Sequence, residues 1–309
     1  MIKRIQRRLA QLSELLRKVD DLQKAVGRLE ARLGEVPGDR EKPLREYEFR
    51  VFSQWGEDGI IQHLIRRVPV ANTVFVEFGV QDYKESNTRF LLQNDNWSGL
   101  VMDSCAADIE TIRDDMLYYR HNLRAVCAFI DRDNINRLIT ENGVSGDIGL
   151  LSIDIDGNDY WIWEAIDCIT PRIVICEYDN LLGPALAVVS PYDRLFEKTR
   201  AHYSYLYGGA SLSALTRLAR GKGYSLIGSN SAGNNAFFVR DDLLGTIRPV
   251  SPEETFVRAQ FRNSRDTDGA LTFLGYEESL AIIGDMPLLN LETGTMIRVR
   301  DISYRAPQP

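Results

Sequence analysis

The segment Val74-Phe75-Val76-Glu77-Phe78-Gly79 decides the fold. A short run of β-branched and aromatic residues, closed by an acid and a glycine, reads as a buried strand entering a tight turn. Helical patterns flank it, at Asp58–Arg67 before and Ser86–Asn94 after. The alternation continues outward, with strands at Gly99–Asp103, Leu123–Ile130, Ile148–Ile155 and Ile173–Glu177. Between them lie helical patterns at Ala107–Met116, Asp133–Asn142 and Tyr160–Ile166. Such alternation predicts an α/β domain: a Rossmann-like parallel sheet with helices on both faces. After a helix at Ser211–Lys222, the segments Tyr224–Gly228 and Ala236–Arg240 read as a hairpin that adds one antiparallel strand at an edge.

The chain has 309 residues, of which 44% are hydrophobic and 26% charged, as expected for a soluble globular protein. The net charge of −7, from 37 basic and 44 acidic residues, argues against a nucleic-acid partner, because phosphate neutralisation needs clustered cations. The sequence carries neither an 18-residue apolar run nor a secretory leader, so a cytoplasmic location without a transmembrane segment is expected. The cysteines Cys105, Cys127, Cys168 and Cys176 form no CxxC pair and are expected to be buried, reduced thiols.

Residues 1–35 read as one helix with apolar residues every three or four positions from Ile2 to Leu33. A single stripe needs a partner, and a homo-oligomeric coiled coil is expected. Packing on its own domain is the alternative, and the basic run at positions 3–8 leaves peripheral membrane contact as a third. Residues 36–48 are polar, with prolines, and read as a linker. The catalytic domain is expected over 49–240, and 241–309 as an extension packing on it or on a second subunit.

Ligands of open parallel sheets sit at the carboxyl ends of the strands. Here those ends carry Glu77, Asp103, Asp131, Asp154 with Asp156, and Glu177 with Asp179. A dinucleotide site wants G-x-G-x-x-G, whereas this turn has one glycine, Gly79, among acids that would repel pyrophosphate. A row of acids suits a ligand with a sulfonium, an amino group and ribose hydroxyls, which describes S-adenosylmethionine. Asp103 is placed to accept both ribose hydroxyls, and Gly79 lets the backbone pass close to the ligand.

Several segments between Phe52 and Arg240 together resemble the FkbM-like branch of class I S-adenosylmethionine-dependent methyltransferases. They are Phe52-Ser53-Gln54-Trp55-Gly56-Glu57-Asp58, Phe75–Gly79, Asn87-Thr88-Arg89, Gly99–Asp103, Ser152–Tyr160 and Gly233-Asn234-Asn235-Ala236. The resemblance implies a seven-stranded sheet with the last strand antiparallel, and methylation of hydroxyl groups on natural products and glycans. It also implies that Gln54 and Glu57 lie beside the amino-acid moiety of the cofactor, and that Glu77 and Gly79 line the turn beneath it. Asn87 and Thr88 would cap the next helix, Asp103 hold the ribose, Phe129 or Asp131 flank the adenine, and Asp154 close the pocket near the sulfonium. The chain departs from its relatives near Tyr83, where they often carry glycine, and at Ser104-Cys105-Ala106 after the ribose acid.

A sugar hydroxyl is a poor nucleophile and needs a base or a metal. Asp154, Asp156 and Asn180 offer oxygen-only ligation suited to Mg²⁺, similar to metal-dependent catechol-type methyltransferases. The metal-free alternative makes Asp154 or Asp156 the base or substrate anchor. His202 is a secondary base candidate, and Tyr203, Tyr205 and Tyr207 beside it read as a sugar-stacking wall or an exposed β-like segment. His63 and His121 read as structural. The leading expectation is an O-methyltransferase for a sugar or glycan. The alternatives are a small natural-product O-methyltransferase and a non-catalytic cofactor-binding scaffold.

Overall fold

The computed structural model describes residues 2–33, 42–259, 261–262 and 264–302. Its strands are β1 (Val74–Phe78), β2 (Ser98–Asp103), β3 (Leu123–Cys127), β4 (Gly146–Ile153), β5 (Ile169–Glu177), β6 (Val188–Val189), β7 (Tyr224–Ser229), β8 (Asn235–Arg240), β9 (Pro287–Asn290) and β10 (Met296–Arg298). β1 is buried along its length because it pairs in parallel with β2 on one side and β4 on the other. The full sheet has seven strands in the order β3-β2-β1-β4-β5-β8-β7, the seven-stranded architecture expected, with β8 alone running antiparallel.

The two sheet faces carry separate cores, as alternation along each strand requires. Val76, Phe78, Leu151 and Val174 pack with Trp163 and Phe238 on one face. Phe75, Leu150, Ile173 and Phe237 pack with Ile60 and Leu64 on the other. Each such fully buried side chain contributes roughly 1.5–3 kcal/mol.

The antiparallel strand is not where the hairpin reading puts it. β8 is internal, between β5 and β7, and β7 is the edge. The helix Leu212–Gly221 carries the chain past a gap, and β8 returns to fill it, burying both Phe237 and Phe238. β3 is shorter than expected because its partner β2 ends at Asp103, opposite Cys127. The helix expected from Ser86 begins at Arg89. Cys176 is buried and Cys168 partly so, but Cys105 and Cys127 are exposed, which corrects the expectation of four buried thiols.

The N-terminal helix spans Ile2–Leu33. It rests on the domain through Gly27 and Ala31, with Gly27 so close to Val51 and Phe90 that a Cβ would collide with Val51. Its apolar stripe does not face the domain. Leu15, Val19, Leu22, Val26, Leu29 and Leu33 are 47–72% exposed. The side chains of the basic positions 3–8, and residues 36–41 of the stretch read as linker, lie outside the described residues. From Leu44 that stretch is docked: Leu44 is buried, and Glu48 accepts from the Ser231 amide and hydroxyl. No described helix is long and apolar enough to cross a membrane.

The insertion after β5 and the C-terminal extension build a second unit of structure together. β6 from the insertion pairs with β9, which pairs with β10. Leu181, Val188 and Tyr207 share a small core with Ile283, Leu288 and Val299. This layer stands over the carboxyl ends of β4 and β5.

Candidate active site

Two cavities adjoin at the carboxyl edge of the sheet. The first, about 570 Å³, is lined by Gly79, Asp103, Phe129, Asp154 and Asn158, with Gln54 and Trp55 at its rim. The second, about 350 Å³, lies under the insertion and the C-terminal extension, lined by Asp159, Asp179, Asn180, Tyr205, Arg258 and Tyr276. Glu177, Lys198, Asn234, Phe261 and Arg262 line both.

The first cavity is shaped by close backbone turns. Gly79 has φ +72°, and a Cβ there would collide with the Asp154 carbonyl oxygen, so only glycine brings the β1 and β4 turns together. Gln81, Tyr83 and Asp156 also adopt positive φ. Tyr83, at φ +61°, is held there by its buried ring and a 2.8 Å hydrogen bond between its hydroxyl and Thr88 Oγ1. Asp103 accepts the Gln81 amide on Oδ2 at 2.8 Å and the Cys105 amide on Oδ1 at 2.9 Å. Each oxygen keeps a further acceptor site, so the carboxylate is fixed in place and still able to receive a diol. Asn158 is 5% exposed and donates to the Asp193 carbonyl, leaving its buried Oδ1 unpartnered among the described residues. A diol acceptor, the apolar Met102 and Ile130, a ring at Phe129 and an acid at Asp154 fit a nucleoside bearing a cationic tail.

At the junction, carboxylate oxygens of Asp154, Asp159 and Glu177 lie within 4.8 Å of one another. Burial, and then the facing Glu177 and Asp159, push Asp154 well above the usual carboxylate range. Burial raises Asp159 to about 6, against amide hydrogen bonds from Ile155 and Gly157. Burial raises Glu177 to about 8, although the Lys198 ammonium pulls it down. Burial alone would lower Lys198, but Glu177, Asp156 and Asp154 outweigh it and hold the ammonium charged. Its Nζ donates to Asp156 at 2.8 Å.

These residues fit Mg²⁺ poorly. Asp156 accepts from Lys198 and Asn180 lines only the second cavity, and the carboxylates that meet are Asp154, Asp159 and Glu177 instead of the expected trio Asp154, Asp156 and Asn180. The carboxylates that do meet include Asp159, both of whose oxygens accept backbone amides, and Lys198 already supplies a cation. A divalent ion there would compete with the Lys198 ammonium for the same carboxylates.

Several sequence candidates serve the frame instead of the cavity. Glu57 lines neither cavity; it accepts from Asn230 and Asn235 and from the Trp55 amide, joining the S-Q-W-G-E-D segment to G-N-N-A. Glu77, raised by burial to about 7, accepts the amides of Asn87 and Thr88 and the Thr88 hydroxyl, holding the start of the helix Arg89–Asn94. The Asn87 side chain donates to Ser152, and neither Asn87 nor Thr88 lines a cavity. Asp131 is 2% exposed, accepts the Asp133 and Asn134 amides and pairs with Arg194 at 2.9 Å, so only Phe129 of the two adenine candidates faces the cavity. His202 is hydrogen-bonded to Ser204, tilted against the Tyr203 ring and lines neither cavity, which argues against it as a base. Of the three insertion tyrosines, Tyr205 alone lines the second cavity; Tyr207 is buried and donates to the Pro287 carbonyl. His63 stacks on Tyr47 with ring centroids 3.6 Å apart.

Sequence reading missed Lys198 and the contributions of Trp55, Asn234, Phe261, Arg258 and Arg262. Lys198 and the arginines come from segments with no motif, and only the fold brings them over the strand ends. Asn234 and Trp55 sat within quoted motifs and were legible as neighbours of the glycines there.

No family model matches the chain, and no curated protein matches it in sequence. Among solved structures, it is similar to an S-adenosylmethionine-dependent methyltransferase from Clostridium acetobutylicum ATCC 824, at 8% identity over 60% of this chain and 90% of that one, with a TM-score of 0.38. It is also similar to the N-terminal domain of EvdMO1, solved with S-adenosylhomocysteine and D-fucose, at 9% identity over 70% and 94% of the two chains, TM-score 0.38. A third is the CurJ carbon methyltransferase, at 10% identity over 63% and 56%, TM-score 0.40.

Glu177 titrates near 4.5 when exposed and near 8 in the fold, so the folded chain keeps a proton that the unfolded chain has lost. Stability from this group is therefore present below pH 4.5 and is lost as pH rises through 8. Glu177→Gln removes that loss. The melting temperature of the variant, relative to the parent, is expected to rise between pH 5 and pH 9, with a gain of at least ~3 °C at the upper end. A gap that is constant or shrinks with pH contradicts the assignment.

Proposed function

We propose that the chain is an S-adenosylmethionine-dependent O-methyltransferase, with the cofactor in the first cavity and a hydroxyl-bearing acceptor, a sugar or glycan, in the second. The observation carrying this reading is that Glu177 and Lys198 line both cavities, so an acid–base pair stands where cofactor and acceptor would meet. A scaffold has no need of such a junction. The second cavity is lined by carboxylates, arginines and Asn180 and Asn234 as well as by rings, and this polar lining supports a hydroxyl-rich sugar over a flat, apolar natural product.

Bound S-adenosylmethionine would supply an electrophilic methyl group on sulfur. Asp103 would hold the ribose, Phe129 the base, and Asp154 the sulfonium end, since all three line the first cavity. Glu177 orients the acceptor hydroxyl and takes its proton as the new O–C bond forms and the C–S bond breaks, the sulfur keeping the electron pair. A base titrating near 8 is matched to that task at neutral pH. Lys198 keeps the surrounding carboxylates from repelling one another and favours the ionised base. This reading needs no metal, since Lys198 occupies the charge-balancing role.

We further propose that the N-terminal helix pairs with the same helix of a second copy. From Leu15 to Leu33 its exposed apolar residues are spaced alternately four and three apart, which is a coiled-coil seam.

With labelled cofactor and an acceptor panel, the parent is expected to transfer methyl groups with or without a chelator. Glu177→Gln is expected to lose at least ~100-fold in rate while binding S-adenosylhomocysteine within about threefold of the parent. Transfer at the parental rate excludes Glu177 as the base. In sedimentation, the parent is expected to run as a dimer or larger, and Leu22→Glu with Leu29→Glu as a monomer of unchanged melting temperature. A monomeric parent contradicts the pairing.

A further inference from the structure

The second cavity is bipolar. The segments that follow β4 and β5 line it with Asp159, Glu177 and Asp179. The C-terminal extension lines it with Arg258 and Arg262. The two sets of charges do not neutralise one another. Neither arginine forms an ion pair among the described residues, whereas Lys198, on the insertion, is paired with Asp156.

The arginines are held for recognition. The Arg258 guanidinium lies over the Tyr276 ring, 4.0 Å from its centroid, and makes no hydrogen bond among the described residues. Stacking fixes the plane and leaves the N–H edges free, which is the arrangement that receives a carboxylate or phosphate in bidentate fashion. Arg262 donates from Nη1 to the Phe273 carbonyl at 3.2 Å, which anchors one nitrogen and leaves its other donors available. Both arginines are exposed residues that line the cavity, so an incoming ligand can reach them. The acids do not repel an anion as their count implies. Burial raises Glu177 to about 8 and Asp179 to about 7, so both spend much of their time protonated at neutral pH.

We infer that the acceptor is an anion: a hydroxyl compound of sugar size bearing a carboxylate or phosphate, which Arg258 and Arg262 grip while the hydroxyl to be methylated is directed to the junction. This inference rests on reading the second cavity as the acceptor site. A neutral sugar would leave both guanidinium groups without a counter-charge.

The test is calorimetric titration of the full chain with glucuronate, glucose 6-phosphate and glucose, alongside S-adenosylhomocysteine. At least one anion is expected to bind about tenfold or more tightly than glucose, and added salt to weaken the anion alone. The stronger of the two anions identifies carboxylate or phosphate as the recognised group. Arg258→Gln, which touches only the second cavity, is expected to lose at least ~fivefold in anion affinity and to keep the parental affinity for S-adenosylhomocysteine. Glucose bound as tightly as both anions, no binding of any of the three, or an anion preference that survives Arg258→Gln with Arg262→Gln overturns the inference. If S-adenosylhomocysteine binds and the anion preference is missing, methyl transfer stands and this inference falls. If an Arg258-dependent anion binds and S-adenosylhomocysteine does not, the anion site stands and methyl transfer falls.

Discussion

One ammonium group, Lys198, is the constraint around which the site is organised. Three carboxylates, Asp154, Asp159 and Glu177, are brought within 4.8 Å at the ends of β4 and β5. Like charges at that spacing in a partly desolvated place cannot all stay ionised. The fold settles the conflict by inserting Lys198 from the short helix Lys198–Ala201 and by leaving part of the carboxylate population protonated. The lysine arrives on the insertion, the insertion shares its core with the C-terminal extension, and that extension supplies the arginine wall. The carboxylate-rich edge of the seven-stranded sheet is thus completed by residues outside it.

A second set of buried carboxylates builds the frame. Asp58 Oδ2 accepts the amides of Val51, Phe52 and Ser53 and the Ser53 hydroxyl, at 2.7–2.8 Å. Glu57 ties the same turn to Asn230 and Asn235, more than 170 residues later. Glu77 holds the helix after β1. The motif acids therefore divide by task. Those whose oxygens are filled by backbone amides and side-chain donors set the positions of the turns. Asp154 and Glu177 face a cavity and are available to a ligand, and Asp103 does both, accepting two amides while lining the cavity.

That division explains what was legible in the sequence. Strand periodicity fixed β1 and β2 closely and found β4 and β5 by their apolar runs, but missed their polar starts at Gly146-Asp147 and Thr170-Pro171-Arg172. The placement of β8 inside the sheet was not legible, since a hairpin pattern reads the same at an edge or in a gap. The acids at the strand ends marked the right edge of the sheet. Their type could not tell Asp103, which faces the cavity, from Asp131, which fastens its own loop. Lys198 and Arg258 carry no local signature; their meaning comes from tertiary contacts with Glu177 and Tyr276. The exposed stripe from Leu15 to Leu33 was plain from its spacing, while Gly27 and Ala31 as the face against the domain were not.

The claim on which the rest depends is that the first cavity binds an adenosyl sulfonium cofactor through Asp103. Its most direct test is a structure of the chain soaked with S-adenosylhomocysteine. The account predicts the ribose hydroxyls on the Asp103 carboxylate, the adenine beside Phe129, and the sulfur directed toward Asp154 and Glu177. Binding elsewhere, or a ribose that makes no contact with Asp103, would contradict it.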